Sequence, residues 1–201
     1  MTTRRHLDLH HLPSTTFGHR DLLWWGVVAF IVIESTTMAI LASAVLYLRR
    51  NFETWPPAPL PPPGLLLPTI NMVLIVLASL PMVLVDRAGR RHDLAGVRRW
   101  MLVAIVLAAL VVALRFLEFG VLGVRWDGNA YGSVIWTLMG FHTSLLVVDL
   151  AESASLAVLT WRGPWEEKHF VDASNNAAYS YFLPASWLPI YCLIVLWPNL
   201  S

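Results

Sequence analysis

Charge is what this sequence has too little of. Only 13% of its 201 residues are Asp, Glu, Lys or Arg, while 57% are hydrophobic and the mean hydropathy is +0.60. Soluble domains carry about 25% charged residues, so a water-exposed fold of this size lacks the polar side chains to cover itself. The surplus apolar surface has to face hydrocarbon or other protein. Cysteine is nearly absent too: Cys192 is the one thiol, which excludes an internal disulfide and any cysteine-built metal cluster. Net charge is +1, which gives no electrostatic case for nucleic acid. Residues 1–20 are polar and lack the apolar run of a secretory signal; they read as a tail. Their histidines, His6, His10, His11 and His19, read as solvated groups near the lipid headgroups.

What is present is long apolar runs. A spanning helix needs about 20 apolar residues, and five segments qualify, over about 21–48, 66–85, 97–124, 131–160 and 179–197. The expected fold is therefore all-α, a bundle of five transmembrane helices forming one membrane domain over 21–201, with no internal repeat. Pro184 and Pro189 fall inside the fifth run and make it the least regular; neighbouring groups in a bundle can satisfy the carbonyls they free. The connections are short. Residues 55–64 hold six prolines in ten positions, a stiff extended linker. Residues 87–99 read as a basic loop, 123–130 as a tight Gly/Asp/Asn turn, and 162–178 as a mixed-charge, partly helical segment.

Orientation follows from the basic residues. Arg4, Arg5, Arg20, Arg87, Arg90, Arg91, Arg98, Arg99, Arg162 and Lys168 fall on one side, and only Arg49, Arg50 and Arg125 on the other. Positive loops stay in the cytoplasm, so the N-terminus is expected inside and the C-terminus outside. Trp24, Trp25, Trp100, Trp161 and Trp197 sit near span ends, as interfacial anchors do.

Six ionisable residues lie at lipid depth: Glu34 in the first span, Arg115 and Glu118 in the third, His142, Asp149 and Glu152 in the fourth. A charge at the bilayer centre costs roughly 2.5–3.5 kcal/mol on insertion scales, so these groups are expected to face one another or a partner. Arg115 and Glu118 are three apart and share a helix face, and so do Asp149 and Glu152. Rise per residue puts Arg115 level with His142 and Glu34 level with Asp149. The set reads as a buried polar cluster. It can order the bundle, handle protons or hold a lipid headgroup. A metal site is disfavoured, because Arg115 competes with a cation and no Glu-x-x-His pair is present. His142 is the only spanning histidine, which is too few for a haem ligand pair.

In order along the chain, the landmarks are Glu34, Trp55-Pro56-Pro57, Pro68 with Asn71, and Arg115-Phe116-Leu117-Glu118-Phe119. Tyr131-Gly132-Ser133, Gly140-Phe141-His142 and Tyr179-Ser180-Tyr181-Phe182 with Trp187 follow. That order resembles the subunit III family of haem–copper cytochrome c oxidases, in its five-helix form. The chain departs from the family where Arg115 replaces a glutamine, Leu145 and Tyr181 replace histidines, Pro184 an aspartate and Asp149 a glycine. The resemblance implies a non-catalytic subunit of an aerobic terminal oxidase in a bacterial cytoplasmic membrane. It implies packing on subunit I beside subunit II, haem and copper held in those partners and none in this chain, bound phospholipid, and support of proton uptake. Glu34, Glu118 and His142 are the positions carried over from the family. An accessory subunit of a nitric oxide reductase or other respiratory complex of the same superfamily, and a small proton-coupled transporter, are the alternatives.

Overall fold

The computed structural model describes residues 15–200. His6, His10 and His11, with Arg4 and Arg5, lie outside the described residues. His19 lies in a short 3₁₀ turn, Gly18–Arg20, where its carbonyl accepts the Trp25 indole N–H at 2.9 Å. Five helices follow: α1 Leu22–Arg49, α2 Leu66–Arg90, α3 Leu94–Val121, α4 Ala130–Arg162 and α5 Glu167–Tyr191. After α5 the chain continues through a π-helical turn, Cys192–Leu196, and a last turn, Trp197–Leu200. All five helices are long and apolar enough to cross a membrane, and the described residues contain no strand.

Side-chain caps explain where helices begin. Asp93 accepts the Gly96 N–H at 3.0 Å to open α3, and Asn129 accepts the Gly132 N–H at 2.7 Å to open α4. At α5 the Glu166 N–H donates to His169 Nδ1 at 3.0 Å, and the Glu166 side chain reaches back to the third residue of the helix. Gly132 is fixed by space. A methyl group there would lie 2.1 Å from the Arg125 carbonyl oxygen, so the turn into α4 closes only over glycine.

Two sequence expectations change. Residues 87–99 are not a loop: α2 runs to Arg90 and α3 starts at Leu94, because Asp86 and Arg90 pair across one turn at 3.0 Å and Asp93 caps the next helix. The fifth helix starts at Glu167, twelve residues before the apolar run, since its polar first half finds polar partners inside the bundle. As expected, it continues through Pro184 and Pro189 and is the least regular of the five, with the π-helical turn Cys192–Leu196 following directly. Proline at these positions takes the usual helical donor from the carbonyls of Ser180 and Ala185; the surrounding helices hold the segment straight enough to continue.

Helix α2 packs mainly between α3 and α5, and α4 touches α1, α3 and α5. Val27, Ile31, Glu34, Met38, Leu41, Val45 and Leu48 form one α1 face, spaced three and four residues apart, and this face turns toward the bundle. Only Glu34, Met38 and Val45 of α1 are fully buried, so most of that helix presents apolar surface outward. Two apolar cores result. One spans the α1, α4 and α5 contacts and reaches Trp55 of the proline-rich linker, whose ring meets Tyr131 edge-on at 4.8 Å. The other gathers Met82, Val85, Val97, Met101 and Ala173 at the end rich in arginine.

Candidate functional site

Polar groups gather where the helices meet, and the innermost set lies between α3, α4 and α5. Arg115 donates from Nη1 to Glu118 Oε2 at 2.7 Å, and neither side chain reaches the surface. One helical turn separates the two Cα atoms, so the pair closes on its own helix face. The Arg115 guanidinium lies 3.8 Å from the ring centre of Trp187 on α5, a cation–π contact out of water. On α4, His142 stacks on the same indole with ring centres 4.5 Å apart. Its Nε2 lies 3.2 Å from the Leu183 carbonyl oxygen. A carbonyl only accepts, so that nitrogen carries the hydrogen and Nδ1 is left as an acceptor. Asn71 of α2, fully buried, stands beside the Glu118 carboxylate.

Deeper along α5, two consecutive residues serve two carboxylates. Tyr179 donates its hydroxyl to Glu34 Oε2 at 2.8 Å, and Ser180 donates to Asp149 Oδ1 at 2.6 Å. Successive residues on a helix point about 100° apart, which is what lets α5 reach α1 with one and α4 with the next. Asp149 also borders a small cavity of about 30 Å³ with Ser79, Ser153 and Ser180. One turn on, Ser153 donates to Asn176 Oδ1 at 2.9 Å.

The structure thus places five of the six expected residues inside: Glu34, Arg115, Glu118, His142 and Asp149 are all buried. It joins Arg115 and Glu118 directly, and His142 to them through Trp187. Glu34 and Asp149 form a second level through α5. Glu152 differs. It is exposed and lines an open groove of about 510 Å³ between α1, α4 and α5, near Asn176. It belongs to that groove and not to the buried set, because the helix turns it toward the gap that α1 leaves. Arg115 pairs with Glu118 alone among the described residues. Five partners escaped the sequence reading of the site: Asn71, Asn176, Tyr179, Ser180 and Trp187. For Asn176, Tyr179 and Ser180 the signal was polar residues at 172, 175, 176, 179 and 180 ahead of an apolar run, spaced for one helix face; Asn71 and Trp187 had no such signal.

Chemically the arrangement is a buried ion pair and a set of buried side-chain hydrogen bonds. Among the described residues, no group of three or more His, Cys, Asp or Glu is placed to hold a metal ion. At the arginine-rich end the helices are cross-tied: Ser174 donates to Asp86, Arg98 donates to the Thr160 carbonyl, and Asn175 donates to Asp21 at 3.1 Å.

A cytochrome c oxidase subunit 3 from Synechocystis sp. is 30% identical over 183 residues, which cover 89% of this chain and 77% of that protein. The chain belongs to the cytochrome c oxidase subunit 3 family. A subunit 3 from Thermostichus vulcanus is 26% identical over 88% of both chains. A probable subunit 3 from Nocardia farcinica is 25% identical over 84% of this chain and 85% of its own. No family model matches the sequence. Membership makes this a multi-pass membrane subunit of a haem–copper oxidase. It also gives the buried set a setting, that of a bundle standing among other oxidase subunits.

Proposed function

We propose that this chain is a redox-silent subunit of an aerobic respiratory oxidase in a bacterial cytoplasmic membrane. It packs on subunit I beside subunit II, and those partners hold the haem and copper. The likeness to a cytochrome c oxidase subunit 3 along 89% of the chain carries this reading. Ten basic residues against three on alternate sides support a cytoplasmic N-terminus and an outside C-terminus.

Two surface features support the finer roles. A groove of about 600 Å³ runs between α1 and α5, lined by Ser35, Ala39, Ala42, Ala185, Ser186 and Pro189. Small side chains let another helix approach closely in lipid, which suits a seat against subunit I. The second groove has apolar walls from Leu23, Val27, Phe30 and Leu159 and two acids in its lining, Glu152 and Asp172. That pattern suits a phospholipid with acyl chains on the walls and an amine-bearing headgroup at the carboxylates. The same acids, together with Asp21, lie at the arginine-rich end, which the basic count puts inside, where proton uptake begins. Glu34, Arg115, Glu118, His142 and Asp149 serve as internal ties that keep α1, α3, α4 and α5 in register.

Purifying the tagged chain in mild detergent tests the assignment. Haem–copper oxidase subunits I and II should accompany it, with their haem absorbance. Glu118→Gln should weaken retention of the chain and leave the haem bands unchanged. Recovery with a nitric oxide reductase, or as a homo-oligomer that conducts protons, would overturn the oxidase reading.

A further inference from the structure

Between α2, α3, α4 and α5 lies a cavity of about 30 Å³ whose polar lining is Ser79, Asp149, Ser153 and Ser180. On its α3 side stand the small side chains of Ala104 and Ala108, which leave the space unfilled. Asp149 is 6% exposed and takes part in no ion pair among the described residues. It receives one hydrogen bond, from Ser180 at 2.6 Å. A carboxylate has about four acceptor positions, so most of its capacity is unspent.

The hydrogens of the cavity wall are directed elsewhere. Ser79 donates to the Val76 carbonyl at 2.7 Å, Ser153 to Asn176 at 2.9 Å, and Ser180 to Asp149 itself. A hydroxyl has a single hydrogen, so the three serines offer the cavity oxygen lone pairs alone. No Lys, Arg, His, Asn, Gln or Trp lines it. The occupant therefore has to donate. An anion is repelled by Asp149. A metal ion such as calcium takes about six to eight oxygen ligands, more than three hydroxyls and one carboxylate supply in a wall that is otherwise apolar. Water meets every condition: it donates two hydrogens, needs about two to four polar partners and fits a volume of about 10–15 Å³. We propose that the Asp149 cavity is a binding site for internal water, which donates to the carboxylate and to the serine oxygens around it. The site keeps a buried acid hydrated where the fold gives it no cation.

Two methionines of one apolar core test this in the native chain. Met82 lines the cavity and is 2% exposed, while Met101 lies in the same core and is 0% exposed. Membranes holding the assembled complex are equilibrated in heavy-oxygen water and given brief X-ray pulses. Radicals formed from bound water oxidise the side chains beside it, and peptide mass spectrometry reads the heavy oxygen gained. Met82 should gain it several-fold faster than Met101. Asp149→Leu, which removes the carboxylate and fills the space, should bring Met82 down to the Met101 rate. Equal labelling in the native chain would overturn the proposal, and so would a Met82 rate that Asp149→Leu leaves unchanged. The native comparison decides by itself if the variant fails to assemble, and it holds whichever subunits accompany the chain.

Discussion

Tyr179 donates its phenol hydrogen to Glu34 at 2.8 Å, across 145 residues of sequence, and the bond ties the last helix to the first. Glu34 has no other hydrogen bond among the described residues, and α1 has little else buried around it. Tyr179→Phe leaves the ring in place and orphans the carboxylate. A buried polar group without its partner costs about 1–3 kcal/mol. Thermal denaturation of the membrane-extracted chain should report a loss in that range, and Glu34→Gln should lose less, because its amide still accepts from Tyr179. A Tyr179→Phe variant as stable as the parent would show that α1 is held by apolar contact alone.

Arg115 and Glu118 make the same argument with charge. Removing one partner of a buried ion pair costs about 3–5 kcal/mol, because the other is left unpaired. Arg115→Leu should fall in that range. Arg115→Lys should be milder: it keeps a cation for Glu118 and gives up the flat contact with Trp187. Unfolding measured on both variants decides; equal losses would mean that the charge contributes nothing and the stacking everything.

Gly132 and Gly140 lie on the same helix with opposite surroundings. Alanine at 132 meets the Arg125 carbonyl, while nothing stands within 4 Å of a methyl group at 140. Gly132→Ala should destabilise by about 1–3 kcal/mol, the usual cost of overpacking. Gly140→Ala should be neutral or stabilising by up to about 1 kcal/mol, through helix propensity. Melting curves of the two variants side by side give the contrast.

Outside the spans, Arg125 donates to both carboxylate oxygens of Asp127, at 2.9 and 2.8 Å, in the turn before α4. The guanidinium holds the Asp127 carboxyl below its ordinary value. A depressed pKa means that the contribution is present above the ordinary aspartate range and lost as pH falls through the lowered value. Hydrogen exchange at Gly128, taken relative to its intrinsic rate at each pH, should therefore stay flat from neutral pH downward and rise only in strong acid. Asp127→Asn should remove that rise. Both groups are in solvent, so the overall stability of the bundle should barely move.

Apolar length was the legible part of this sequence. The first four helices occupy their predicted runs to within five residues at either end, since hydrocarbon thickness writes itself directly into composition. Helix α5 was half hidden. Asp172, Ser174, Asn175 and Asn176 look like loop to a hydropathy reading, yet Ser174 and Asn176 are spent on Asp86 and Ser153 of neighbouring helices. The site was legible as a list of charges at lipid depth and not as a set of partnerships. Periodicity could place Arg115 and Glu118 on one face, but nothing in the chain's spacing says which helix brings Trp187 between Arg115 and His142. Glu152 shows the same limit from the other side: three residues from Asp149, it shares a helix face on paper, and the gap beside α1 exposes it.

The long reach of the Tyr179 bond bears on how the protein is made. Helix α1 leaves the ribosome first, and the hydroxyl that meets Glu34 is synthesised 145 residues later. Throughout that interval the first helix stands in lipid with its acid unanswered. Until α5 arrives, α1 therefore carries the insertion cost of an ionisable group at lipid depth, roughly 2.5–3.5 kcal/mol.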